Sequence, residues 1–415
     1  MTKQVRLDTL LLFLMALAVI DGGVFNFVPV TFPAFSREFG VGLEQMGRSQ
    51  FFLFAATLTF SVIGGWFVTA LGTRRAAAAA LSGLAAAFLG IATGSNFNAV
   101  MAAIVLFGIS LAAIEVVGGA AITENFGETR QRTFFLWGLM NALGATLFPA
   151  ALGWWLVLPG ETFGGWRAAY LAGAAGFVAL AAFSLLLRPA AHEKQKHGRG
   201  DHAWKHLPLV LSSRAIYGLA LIMFLHGVAQ VGMTSWVGQL YIKRTGANAA
   251  QAALFLSLNA AGFFAGRVLL TWITSRWRLH ELLVLALSAG GGTLAFVATL
   301  ASPNYLAGLV TFTLAGVFIS GDGPSANSYT GLRYPHQAAT AFAVMNGLGN
   351  VGGAIGAYIV GLLGSRVGLD RGIWFLPIFS MALSIFAAFW YRLDSVGRAM
   401  QAKSGAGESL ERCST

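Results

Sequence analysis

Charge is the scarcest property of this chain. Lys, Arg, Asp and Glu supply only 10% of its 415 residues, against about 25% in water-soluble domains. That shortage excludes a globular protein wetted on every side, because polar groups are too few to cover its surface. Cysteine is almost as rare. Cys413 stands alone, which excludes an intrachain disulfide and leaves no thiol cluster for zinc or redox chemistry. Chemistry-bearing motifs are missing too. No nucleophile–base pair, phosphate-binding loop or metal-ligand spacing occurs, and the Gly-rich runs lie in apolar stretches with no strand before them. No catalytic or metal-binding residue is therefore assigned, enzymatic activity has no support, and no cofactor is expected beyond a coupling ion, H+.

What is abundant is apolar. Hydrophobic residues make up 56% of the chain and the mean hydropathy is +0.69. Crossing the hydrocarbon takes about 20 apolar residues in a helix. Runs of that length fall near 8–32, 47–71, 76–94, 98–121, 133–157, 166–187, 213–240, 250–274, 280–300, 305–328, 338–364 and 372–391. The expected fold is an all-α membrane protein of twelve transmembrane helices in two pseudo-symmetric six-helix bundles. The first run has a basic start but is too long for a signal-peptide core, holds Asp21 and lacks a small-residue cleavage site, so it reads as a retained span. The 52 glycines suit helices that pack closely in lipid.

One long polar gap divides the runs six and six. The expected organisation is a first bundle over 1–188, a basic linker over 189–210, a second bundle over 211–392 and a tail over 393–415. The tail, polar from about 392 onward, is expected to be disordered. The linker carries His192, His197, His202 and His206, interleaved with Lys and Gly and without partner cysteines. A solvated basic segment beside anionic lipid headgroups explains it better than a metal site. The net charge of +11 does not point to nucleic acid, since the basic residues sit in short gaps and form no stripe. Nineteen of the 27 basic residues fall on the side that holds both termini and seven on the other. The positive-inside rule therefore places both termini in the cytoplasm, with a bacterial inner membrane as the expected setting and a monomer as the expected state.

A weak internal repeat supports duplication. Residues 108–157 and 316–357 each begin with Gly, place one acid (Glu115, Asp322) in an apolar run, turn through a polar hinge and resume with Met-Asn-x-Leu-Gly, Met140 to Gly144 and Met345 to Gly349. Duplicated halves are how many secondary transporters are built. Three acids lie deep in spans: Asp21, Glu115 and Asp322. An ionised carboxylate at the bilayer centre costs about 2.5–3.5 kcal/mol on an insertion scale, so each must face protein or a watery cavity. They occupy spans 1, 4 and 10, and span 7 carries His226 and Gln230. A cavity lined by those four helices is the simplest geometry. Each group could instead make a helix–helix hydrogen bond. Asn26, Asn141, Asn259, Asn346 and Asn350 also lie within spans, where amides suit a hydroxyl-rich solute or tie helices together. Asp322, His226, Gln230, Asn26, Asn141, Asn346 and Trp236 form the candidate solute-binding set, Trp236 through its flat apolar face. Arg267, about two turns inside span 8, reads as a gating or structural residue kept charged by snorkelling or a carboxylate partner.

The arrangement resembles the major facilitator superfamily: six plus six spans, a long central linker, and polar residues on spans 1, 4, 7 and 10. That family's signature between spans 2 and 3 is Gly-x-x-x-Asp-Arg-x-Gly-Arg-Lys. Here GWFVTALGTRR keeps Gly65, Gly72, Arg74 and Arg75 but has Thr69 in place of the acid, and the second copy, TWITSRWR, keeps Arg276 but has Ser275 at the acid position. Arg74, Arg75 and Arg276 would be gating or structural residues, yet the usual charge-relay gate is in doubt without its acids. Spans 4 and 5 are similar to the fucose–proton and glucose symporter branch at Glu115, Gly118, Asn141 and Gly144, with Asp21 matching an acid in span 1. The resemblance implies that Glu115 binds the coupling proton and that Asp21 links protonation to solute binding. It implies proton-coupled symport of a small hydrophilic solute, a sugar or sugar derivative, by alternating access. The alternative is a proton-coupled exporter of cationic or amphipathic compounds, favoured by three acids and 33 Phe. A third reading is a subunit that binds a solute without moving it.

Overall fold

Residues 3–126, 129–158, 165–186, 207–277, 279–334 and 337–413 are described in a computed structural model. The hinge at 127–128 and linker residues 187–206, with their four histidines, lie outside the described residues. No strand occurs among the described residues. The twelve spans run Thr9–Phe39, Leu43–Leu71, Thr73–Thr93, Phe97–Asn125, Arg132–Trp155 and Gly165–Leu186 in the first half. The second half holds Arg214–Thr245, Ala249–Arg276, Glu281–Ala301, Tyr305–Arg333, Thr340–Val367 and Leu369–Asp394. Below, the near side is the membrane face where span 1 begins and the far side is the face where it ends.

Local chemistry sets the ends of several spans. Asn96 opens span 4 by accepting from the Ala99 N–H at 3.0 Å, and Asn304 opens span 10 by accepting from Ala307 at 2.8 Å. Asn248 and Gln251 form a reciprocal capping box at the head of span 8. Spans 1 and 10 are each built from two helices, Lys3–Val24 with Phe27–Phe39 and Tyr305–Ile319 with Asp322–Arg333. A proline explains both breaks. Its ring clashes with the carbonyl four residues earlier and it offers no N–H. Pro29 displaces the chain at Phe25, and Pro324 displaces it at Ser320, where the two interruptions fall.

Helix pairing repeats between the halves. Span 1 packs on 5, 2 on 4, 3 on 6 and 3 on 4, matched by 7 on 11, 8 on 10, 9 on 12 and 9 on 10. The halves meet through span 2 against 11 and span 5 against 8. Even the far-side clasps correspond, with the charges exchanged. In the first half Arg167 at the start of span 6 bonds Glu38 at the end of span 1 (2.5 Å) and the carbonyls of Ala92 and Gly94 around the end of span 3. In the second, Arg244 at the end of span 7 reaches Asp370 at the start of span 12 (3.4 Å) and the Leu300 and Ser302 carbonyls after span 9. The sequence reading places these groups only as loop charges.

The far side is sealed. A Cβ on Gly47 would stand 3.1 Å from the Tyr358 carbonyl, and one on Gly153 would stand 2.4 Å from the Ala253 Cβ, so spans 2 and 11 and spans 5 and 8 touch there through bare glycine. Phe32 packs on Trp236 across the halves at 5.4 Å. Toward the near side Phe135 is 68% exposed, and Asn346 and Arg267 are exposed as well. The halves are joined at the far face.

One expectation is corrected. The final helix runs without interruption from Leu376 to Cys413, so helix replaces the expected disordered tail. The reason lies in its residues: Ala, Met, Gln, Lys, Leu, Glu and Arg dominate beyond 392, and all are strong helix formers.

Candidate functional site

Two polar clusters form at mid-span, one in each half. In the first, the Asn141 side-chain N–H donates to Asp21 Oδ2 at 2.9 Å, joining span 5 to span 1. Asp21 is 7% exposed. Glu115 on span 4 is near enough for its charge to act on Asp21, so two carboxylates here would repel if both were ionised. Asp21 lies one turn before the break at Phe25, and the helices that hold it are in backbone contact. A Cβ on Gly22 would stand 1.9 Å from the Asn141 carbonyl, and one on Gly144 would stand 1.9 Å from the Val19 carbonyl. Only glycine permits that approach, and the approach brings Asn141 to Asp21.

Glu115 faces inward. One turn on, Gly118 packs on the Trp137 ring of span 5, while Gly108 and Val116 pack on Leu53 and Gly64 of span 2. Glu115 sits on the arc of span 4 between those neighbours, and it is exposed. Its carboxyl group therefore meets the gap between spans 2 and 5, away from lipid.

In the second half His226 Nδ1 lies 3.0 Å from Asp322 Oδ2, joining span 7 to span 10 just after the break at Ser320–Gly321. The His226 and Asp322 side chains are 12% and 2% exposed. Asp322 Oδ1 is buried with no hydrogen-bond partner. A buried carboxylate oxygen left unpaired costs about 1–3 kcal/mol or more, so this oxygen is an unsatisfied acceptor. Asp322 also opens its helix, where an acid meets the positive end of the helix dipole.

The two halves solve the same problem with different partners. Gly144 faces the Val19 carbonyl and Gly349 faces the Met223 carbonyl, which aligns span 1 with span 7 and Asn141 with Asn346. By that alignment Leu225 stands where Asp21 does, and Asn346 has no acid opposite it. The second half thus lacks a counterpart of Asp21; its acid is Asp322, which the repeat pairs with Glu115, and its partner is a histidine.

The remaining candidates separate. Gln230, one turn beyond His226, is half-buried, and Asn26 lies at the break of span 1 and does not cap the helix that follows. Asn346 is exposed on span 11 beside Gly347, which faces Leu58 of span 2. Asn259 is buried and donates to the Phe312 carbonyl at 2.8 Å, a tie between spans 8 and 10. Trp236 is fully buried in this conformation, its indole N–H donating to the Ala357 carbonyl at 2.8 Å and its ring against Phe32. It occupies the far-side seal, with no face on open space.

At the near side, Thr69 Oγ1 turns back to the Trp66 carbonyl and Ser275 Oγ to that of Trp272. Neither replaces the missing acid. Arg74, Arg75 and Arg276 make no ion pair among the described residues, and Arg74 Nε is buried without a partner. Arg267 has no carboxylate partner there either; its guanidinium lies 4.7 Å from the Phe263 ring. No cluster of metal-ligating side chains occurs among the described residues.

Comparison with known proteins agrees with this architecture. The family model described as Major Facilitator Superfamily matches residues 12–356. Among solved structures, a bacterial homologue of the human lysosomal transporter Spinster, inward-facing and unoccupied, superposes with a TM-score of 0.77 at 14% identity, covering 93% of this chain and 97% of its own. The D-xylose-proton symporter gives 0.75 at 12% identity over 92% and 97%. The E. coli fucose:proton symporter gives 0.61 at 19% identity over 91% and 98%. No curated protein matches the sequence.

Proposed function

The chain belongs to the major facilitator superfamily, an integral, multi-pass membrane transporter family, and from that premise we propose that it is a proton-coupled symporter of a small hydrophilic solute, a sugar or sugar derivative. The observation that carries the reading is the buried Asp21 of span 1, bonded by Asn141 and within reach of the charge of inward-facing Glu115 on span 4. Either acid can carry the coupling proton, and a solute hydroxyl can replace the Asn141 amide on Asp21.

The cycle follows from the geometry. The excess of Lys and Arg assigns the near side to the cytoplasm, which makes this conformation inward-facing, with the far-side glycine contacts as the closed outer gate. When those contacts part, Glu115 takes a proton from outside. The solute then engages Asp21 and Asn141 in one half and Gln230 and the free Asp322 oxygen in the other, and the halves rock around it. Opening the near side releases solute first to the interior and then the proton.

The test is transport by purified protein in liposomes. A sugar gradient should drive alkalinisation of the outer medium. Glu115→Gln should abolish that proton movement while leaving solute counterflow intact. Loss of counterflow as well would make Glu115 a solute ligand, and solute flux without any proton movement would refute the coupling.

A further inference from the structure

We infer that Arg267 is the anion-binding residue of the solute site and that the solute is a hydroxylated carboxylate, of the sugar-acid class. The inference rests on the symport reading and narrows its solute.

Its first support is where the residue points. Span 8 has two packed faces. Gly262 and Gly266 lie on the backbone of Thr313 and Val317 in span 10, and Ala253 lies against Gly153 of span 5. At 3.6 residues per turn, the arc between those faces carries Phe263 and Arg267. The opposite arc carries Val268, Leu269 and Trp272, which are 54%, 48% and 60% exposed, as a lipid-facing surface would be. Arg267 is exposed on the inner arc, so its guanidinium opens into the gap between the halves. Snorkelling to the near-side headgroups does not account for that position.

The second support is the missing partner. Among the described residues Arg267 makes no ion pair and no side-chain hydrogen bond, and its guanidinium lies 4.7 Å from the Phe263 ring. Its five fork-shaped donors are therefore unused by protein. The third support is the setting. Gly266, the preceding residue, meets Ser320 Oγ at the break of span 10, two residues before Asp322 and its unpaired Oδ1. The segments that carry the cation and the unpaired acceptor thus meet at one break, which suits a molecule with an anionic group and a neighbouring hydroxyl.

Chemistry narrows the anion. A single guanidinium fork matches one carboxylate through two parallel hydrogen bonds. A phosphate dianion would leave one negative charge unbalanced, since no second basic side chain stands beside Arg267 on its inner arc. The mid-span cluster of the first half supplies no cation either: Asp21 is bonded by Asn141, and the charged group near it is the acid Glu115. An anionic solute can share the site with them only when a proton has joined them, so solute and proton move as a neutral pair.

Matched pairs test this: D-gluconate and D-glucuronate against D-glucitol and D-glucose, added to the purified full-length protein and read by thermal unfolding and, in liposomes, by proton uptake. The acids should raise the melting temperature of the wild type and the neutral partners should not. Arg267→Gln should weaken the response to acids by about tenfold or more, and Arg267→Lys should restore part of it. Melting of each variant without ligand reports whether it folds. Stabilisation and proton uptake with neutral sugars but not with acids would overturn the anion inference and leave symport standing. Arg267-dependent stabilisation by acids with no proton movement would uphold the inference and refute symport. If no acid shifts the wild type, or Arg267→Gln responds like the wild type, the inference falls.

Discussion

Replacing Gly144 by alanine should damage both the packing of spans 1 and 5 and the Asp21 site. A Cβ at residue 144 would stand 1.9 Å from the Val19 carbonyl oxygen, and contacts under 3.0 Å are not tolerated. The helices must therefore part by 3.0 − 1.9 = 1.1 Å at least. Asn141 lies one turn away, so its 2.9 Å bond to Asp21 would stretch to about 4 Å, beyond the range of a hydrogen bond. Overpacking costs about 1–3 kcal/mol, a lost bond to a charged group about 1.5–3, and alanine returns up to about 1 in helix propensity. The net loss should be about 1.5–6 kcal/mol. Gly138 on the same helix is the control. A Cβ there meets nothing within 4 Å, so Gly138→Ala should be neutral or stabilising. Reversible unfolding in mixed SDS micelles, followed by tryptophan fluorescence, measures both. Combining Gly144→Ala with Asn141→Ala should cost less than the sum of the two, because they break the same bond. A Gly144→Ala protein that unfolds with the wild type, or a Gly138→Ala protein as damaged as Gly144→Ala, would refute the reasoning.

Other outcomes follow from the same contacts. His226→Ala leaves both oxygens of buried Asp322 unpaired and should cost about 1–3 kcal/mol or more, with Asp322→Leu added to it recovering part of the loss; SDS unfolding of the two variants checks this. Arg167→Ala removes the first-half clasp to Glu38 and two carbonyls and should lower stability by about 1–3 kcal/mol in the same unfolding assay. Gly153→Val places atoms on Ala253 and Ala249 at the far-side seal. Spin labels at positions 42 and 368 should then report a wider far side, and transport should fall without loss of folded protein.

Much of the architecture was readable without coordinates. Twelve spans followed from runs of apolar residues, because hydrocarbon admits only helices that satisfy their own backbone. The three embedded acids were visible for the same reason: in a run of apolar residues, a carboxyl group stands out. Their partners were not visible. Nothing in the order of residues says that Asn141 reaches Asp21, or that His226 pairs with Asp322 while Asn346 has no acid opposite. The clasps around Arg167 and Arg244 read only as loop charges, since their partners lie in other spans. Trp236 fitted a sugar-stacking role on paper, whereas its indole is enclosed by Phe32 and the Ala357 carbonyl.

Composition and periodicity by themselves determined that the chain is a bundle of membrane-crossing helices in two related halves. Those properties depend on transfer between water and lipid, which each segment feels alone. Which face is sealed, which polar groups meet and which way Arg267 opens were decided only by tertiary structure. Each depends on two helices approaching within a few ångströms, and that approach is set by where a glycine on one helix falls against a carbonyl of another.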